Sequence, residues 1–233
     1  MMFDPILMII TFVFMGIGMF VSNRLKNKFK EYSQNPLSSG LSGKEVAEKM
    51  LRDNGIMDVK ITCMEGKLTD HYNPLTKTVN LSREVHDGRN IASAAVAAHE
   101  CGHAVQHATA YLWLQMRSAI VPVVNLSAKA MNIVMLVGLF LAFSYQMYNQ
   151  MLAVIIILQG VITIFSMITL PVEVDASKRA LVWLNTSKIA RGEEQEKAKD
   201  ALSWAAKTYF VAALASLAQL FYYLLLFLGR RKD

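Results

Sequence analysis

IASAAVAAHECGHAVQHATAYLWL, residues 91–114, decides how this chain is read. The stretch has no proline and is rich in alanine, the strongest helix former, so a long helix from Ile91 to about Leu114 is expected. Within it, His99-Glu100-Cys101-Gly102-His103 sets two imidazoles at i and i+4, on one helix face. Such a pair can share one metal ion. Neutral imidazole nitrogens suit zinc at ~2.0–2.1 Å, and a catalytic zinc takes three protein ligands while keeping one position open. Glu100 lies about 100 degrees round the helix from His99, near the metal without being a ligand. It can take a proton from a metal-activated water and return it to the leaving amine. The pattern predicts a zinc metallopeptidase with His99 and His103 on Zn2+ and Glu100 as catalytic base.

Gly102 costs ~1 kcal/mol of helix propensity relative to alanine, which suggests that something packs closely there. Cys101 reads as a small buried hydrophobe rather than a ligand. A third ligand must come from elsewhere, and Glu173, in Pro171-Val172-Glu173-Val174-Asp175-Ala176-Ser177, is the first carboxylate beyond two apolar runs. Two membrane crossings between His103 and Glu173 return the chain to the side it left, as a shared site requires. The alternative is an ordinary juxtamembrane carboxylate. His107 extends the histidine face by four residues, but a metzincin places its third histidine six after the second, where Thr109 stands. His71 and His86 precede the motif and serve either substrate or oxyanion, or are surface residues.

Apolar residues make up 54% of the 233 positions, and they are bunched rather than spread. Runs at residues 5–21, 131–145, 151–170 and 209–228 approach the ~20 residues that cross a bilayer as a helix. The net charge of +6 gathers beside these runs, as in Arg24, Lys26, Lys28 and Lys30, where it reports orientation and not nucleic-acid binding. By that rule the first span ends in the cytoplasm. The basic Arg230, Arg231 and Lys232 then fall outside if all four runs cross, so the last run is either a full span or a partial one. The first run lacks a basic leader and a cleavage site and reads as a retained anchor. Two cysteines at unrelated positions, Cys63 and Cys101, form no disulfide framework.

The expected organisation is an anchor at 1–22, a zincin-like catalytic domain at 23–115, a membrane hairpin at 116–171, a third-ligand segment at 172–207 and a membrane helix with a basic tail at 208–233. The hairpin joint is expected at the uncharged residues 146–150, and a first domain boundary at the Pro/Ser/Gly stretch 35–40. Ser42 with Glu45 forms a capping box opening a helix that stops at Gly55. Alternation at Val59, Ile61 and Cys63, and again at Val79 and Leu81, with a turn at Asn73-Pro74, predicts two or three short strands. The fold class is therefore a mainly α integral membrane protein with a small sheet and about four transmembrane helices.

A cytoplasmic HExxH helix, a membrane hairpin and then a glutamate resemble the integral-membrane gluzincins related to HtpX and the CAAX-prenyl endopeptidases. With Asp70-His71-Tyr72-Asn73-Pro74, the strand 78–82 and Glu173 followed by Asp175-Ala176-Ser177, nearly the whole chain resembles the YugP-like family of neutral zinc metallopeptidases in bacterial membranes. The resemblance implies a zinc endopeptidase with ligands His99, His103 and Glu173 and base Glu100. It also implies an inner-membrane location with the site facing the cytoplasm, peptide or protein substrates such as membrane or misfolded proteins, and a strand 78–82 that presents an edge to them. The chain departs from the HtpX pattern in carrying Ser177 where that group has aspartate, which leaves Asp175 to brace a ligand histidine. The competing readings are a site-2-type intramembrane protease and a non-catalytic zinc-binding scaffold; substrate and oligomeric state are not legible.

Overall fold

Residues 4–67, 69–141 and 145–229 are described by a computed structural model. Their elements run α1 (Pro5–Ser33), α2 (Gly43–Asp53), β1 (Lys60–Met64), β2 (His71–Asn73), β3 (Thr78–Ser82), α3 (Arg83–Asp87), α4 (Ile91–Ala108), α5 (Leu112–Leu141), α6 (Tyr145–Thr186) and α7 (Glu193–Gly229). Contacts divide the chain into two units, one holding residues 1–20, 116–170 and 208–233, the other 21–115 and 171–207.

The first unit consists of stretches of the four helices long and apolar enough to cross a membrane. In none of these helices is more than 28% of the most apolar stretch buried. Ile9, Phe12, Leu126, Ile157 and Phe221 face outward, which suits a hydrocarbon surround and would be untenable in water. Inside, Leu7, Leu152, Ile155, Tyr222 and Tyr223 form a small core against Met131 and Val134. Thr163 Oγ1 and Gln159 Nε2 both donate to the Ser216 carbonyl at 3.1 Å. The chain is thus a mainly α membrane protein with four candidate spans and a small sheet.

Three expectations change here. Span-forming helix α5 starts at Leu112, so the single helix expected from Ile91 to about Leu114 is two, and the apolar run expected from residue 131 lies in a helix that begins well before it. Residues 146–150 lie within the first turns of α6 and are not the hairpin joint. The last apolar run is the end of one continuous helix, whose residues 208–229 reach about 33 Å at 1.5 Å each, enough for a full crossing. The basic Arg230, Arg231 and Lys232 lie outside the described residues.

The second unit folds around α4, 14 of whose 18 residues are buried. Helix α2 opens with the expected capping box, Glu45 N–H donating to Ser42 Oγ and Ser42 N–H to Glu45 Oε2. It closes on Gly55 at φ 70°, where the Ile56 N–H reaches the Leu51 carbonyl. Its buried face, Val46, Ala47, Met50 and Leu51, packs into one core with Val79, Leu81, Ala94, Ala98 and Leu184. The sheet has the order β1-β3-β2, β1 parallel to β3 and β2 antiparallel to it. Strand β3 is therefore central and has no free edge, so the expected substrate edge at 78–82 is corrected: the free edges belong to β1 and β2. The stretch 35–40 is not slack either. Leu37 is buried, and Asn35 and Leu37 exchange backbone hydrogen bonds with Ile91 and Arg89.

Helix α4 ends at Ala108, earlier than alanine content predicts. The Tyr111 N–H bonds the Gln106 carbonyl and the Ala110 N–H the His107 carbonyl, with Ala110 at φ 51°. This is a Schellman closure with alanine in the place usually taken by glycine, so the composition carried no stop signal.

Candidate metal centre

Helix α4 supplies His99 and His103 four residues apart, and the second unit's part of α6 supplies Glu173. Their candidate ligand atoms all lie within 4.8 Å of one another. Glu173 Oε2 stands 3.3 Å from His99 Nε2 and 3.6 Å from His103 Nε2. A charge-assisted contact between imidazolium and carboxylate closes to ~2.7–2.9 Å. Ligands of a tetrahedral zinc with bonds of ~2.0–2.1 Å sit about 3.3–3.4 Å apart. The two separations to Glu173 leave room for a zinc ion among the three groups.

The far sides of both rings are held. Gln106, wholly buried, donates through Nε2 to the Val172 carbonyl and to Asp175 Oδ2, each at 2.8 Å. Both partners accept only, so the amide orientation is fixed and Oε1 must face His103 Nδ1, 3.0 Å away. Nδ1 therefore carries a hydrogen, and in the neutral ring the lone pair lies on Nε2, toward Glu173. His99 Nδ1 similarly meets Ser177 Oγ at 3.1 Å. This is the arrangement by which metal-binding histidines have their tautomer and tilt set by a hydrogen-bonded partner. Asp175 is in turn held by Arg179 Nε, and the Arg179 guanidinium lies over the Tyr111 ring.

Gly102 meets the requirement anticipated from its cost. A Cβ there would stand 2.6 Å from the Ala176 carbonyl oxygen, so only glycine lets α4 and α6 approach this closely. Glu100 is buried beside the trio, and its Oε2 accepts the Tyr72 N–H from β2 at 3.0 Å. Cys101 donates to the Ala47 carbonyl in the core, and burial pushes its thiol far above the usual range, so it offers no thiolate to a metal. Burial disfavours a charge on His103, but Glu173 outweighs that and holds the ring's pKa above the ordinary imidazole value. Burial also raises the Asp70 carboxyl, which accepts from Ser82 N–H and Oγ and ties the loop before β2 to β3.

The remaining expected site residues fall as follows. His71 is exposed, its ring engaging the Thr69 carbonyl and Asn80, and it is not brought to the trio. Asp175 reaches His103 only through Gln106, not directly. Ser177, which had seemed to vacate a bracing role, itself contacts His99, so that reading is revised. Glu173 sits well inside α6, two residues after Pro171. Sequence reasoning missed Gln106, although its place three residues after His103 on the same helix was a usable signal.

A family model described as "Putative neutral zinc metallopeptidase" matches residues 7–228. The "Putative membrane protease YugP" of Bacillus subtilis (strain 168) is 37% identical over 224 residues, covering 96% of this chain and 97% of that protein. No solved structure matches the chain.

Proposed function

The chain belongs to the family of neutral zinc metallopeptidases, and from that premise we propose a membrane-bound zinc endopeptidase whose metal is held by His99, His103 and Glu173, with Glu100 as catalytic base. When bound, zinc supplies Lewis-acid polarisation of the scissile carbonyl and of the attacking water. The protein's own groups do the rest. Glu100, with Oε2 engaged by the Tyr72 N–H, offers Oε1 to the water's proton and passes that proton to the leaving amine. Gln106 and Ser177 keep Nε2 of both histidines turned toward Glu173. The observation that carries the reading is the convergence of two histidines and one carboxylate within 4.8 Å, with Glu173 3.3 and 3.6 Å from the two Nε2 atoms and a buried glutamate next to them.

Helix α4 is not among the four candidate spans and is packed in the core of its unit, which favours this reading over a site-2-type protease with HExxH inside a span. Arg24, Lys26, Lys28 and Lys30, following the apolar part of α1, support a cytoplasmic position for residues 21–115 and 171–207 in a bacterial inner membrane. Membrane proteins or loosely folded proteins are the substrate class we infer. In a Cys63→Ser background, cysteines introduced at the exposed positions Ser39 and Arg191 should label from the same, cytoplasmic face; labelling from opposite faces would remove the shared site.

The decisive experiment compares wild type and Glu100→Gln for zinc content and for cleavage of fluorescein-labelled casein in detergent. Glu100→Gln keeps shape without a proton acceptor, so zinc should stay while turnover falls ~10²–10⁴-fold. Near-normal turnover would remove the base, and a non-catalytic zinc scaffold would give no cleavage in either protein.

A further inference from the structure

His107 follows His103 on α4 but has no part in the ligand set, and Tyr72 of β2 meets it. The Tyr72 hydroxyl lies 2.7 Å from His107 Nδ1, with the two rings 5.8 Å apart. The same tyrosine donates its backbone N–H to Glu100 Oε2. Glu100 and His107 are seven residues apart, about 700 degrees of helix rotation, and so stand on nearly the same face two turns apart. One strand residue therefore grips the catalytic helix at two points, with its main chain on the glutamate and its side chain on the histidine.

The strand needs such a grip. β2 is three residues long and pairs on one side only, with β3. Its register alternates, and because the Tyr72 N–H goes to Glu100, this amide points away from β3. Nothing in the ladder fixes where that N–H aims along α4. The Tyr72–His107 contact is a second tie between β2 and α4.

We propose that Tyr72 and His107 are positioning residues for Glu100: their hydrogen bond clamps β2 onto α4, so that the Tyr72 amide holds Oε2 and presents Oε1 to the reacting water. The inference rests on the assignment of Glu100 as base. It predicts an effect on turnover that passes through the glutamate's orientation and not through the metal or the overall fold.

The test uses full-length protein in detergent with fluorescein-labelled casein. Tyr72→Phe removes only the hydroxyl and His107→Ala only its partner; each should lower kcat ~10-fold, within the range for groups that orient a reacting residue. KM should stay within twofold and zinc content should be unchanged. The double variant should be no worse than either single one, because both break the same bond. His107→Asn, whose amide nitrogen or oxygen can take the place of Nδ1, should recover most of the loss. As a readout independent of turnover, hydrogen exchange in a peptide covering β2 should quicken in Tyr72→Phe and His107→Ala, also after zinc is stripped.

Wild-type kcat in both single variants, additive losses, or a change in KM alone would overturn the clamp. Should Tyr72→Phe fail to fold, the His107→Ala and His107→Asn pair still decides. Glu100→Gln, run alongside, separates the two failures. An inactive Glu100→Gln with fully active clamp variants refutes the clamp alone, whereas an active Glu100→Gln refutes the base.

Discussion

Gln106 and Gln159 are both buried, and each donates through Nε2 to a backbone carbonyl of another helix, yet they belong to regions built on opposite rules. Around Gln106, in the unit holding the metal centre, the interior is apolar: Val46, Ala98, Val172, Ala176 and Leu184 are fully buried. Around Gln159 the interior is also partly apolar, with Leu152, Ile155 and Ile168 buried, but the outside differs. Ser127, Thr163, Thr169 and Ser216 are buried there while Ile157, Phe12 and Leu126 are exposed. In water apolar burial drives packing, whereas between helices in lipid it drives nothing, and close fit with polar contacts takes over. The difference teaches that one amide can have two kinds of consequence. Gln106 passes its orientation to a histidine of the proposed zinc site; Gln159 joins two helices.

The sharpest way to break this division is at the proposed zinc site, where Glu173 meets the histidines of α4 from a distant region of sequence. Glu173→Ala should lower zinc affinity by more than the ~10–100-fold typical of a bracing group, with the fold retained by the spans, while Asp175→Ala should fall within that range. Metal analysis of both variants purified in the same detergent checks it. Wild-type zinc retention in Glu173→Ala would take that residue out of the site.

A smaller effect is expected at Gln106 itself. Gln106→Leu keeps the volume but leaves the His103 Nδ1–H and the Asp175 carboxylate without this partner, so zinc affinity should fall ~10–100-fold. Ser177→Ala acts on His99, whose side chain is 12% exposed and can take a water in its place, so its loss should lie at the low end of that range. Gln159→Leu should not change zinc affinity at all. Competition with a fluorescent zinc chelator ranks the three, and an effect of Gln159→Leu equal to that of Gln106→Leu would dissolve the distinction between the regions.

Local chemistry was legible in the sequence and tertiary placement much less so. The i, i+4 histidines, the capping box at Ser42 and the stop at Gly55 depend on neighbours along the chain, and each was readable from its own few residues. The approach of Glu173 to the histidines was anticipated from the parity of crossings and not from any local signal. The end of α4 was missed because Ala110 sits where glycine is usual. The start of α5 was missed because Arg117 and Lys129 interrupt an apolar run that the helix nonetheless carries. The roles of Gln106, Ser177 and Tyr72 were hidden for a common reason: each depends on a partner 28 to 78 residues distant, and hydrogen bonds of that separation leave no periodic trace.

The smallest expected effect lies in the membrane region, at Thr163. Its hydroxyl donates to the Ser216 carbonyl at 3.1 Å, and that carbonyl also accepts from Gln159, so Thr163→Val removes one of two donors while keeping the branched shape. Helix-to-helix hydrogen bonds of this kind average ~0.6 kcal/mol and reach at most ~1.7, because the separated helices find other partners. Thr163→Val should therefore destabilise by about 0.6 kcal/mol in a reversible unfolding titration in mixed micelles, with zinc content and casein cleavage within twofold of wild type. The carbonyl's second donor argues for the low side of that range. A loss above about 2 kcal/mol, or any drop in zinc content, would mean that the bond at Ser216 carries more than the joining of two helices. The two glutamines would then be doing the same kind of work in both regions.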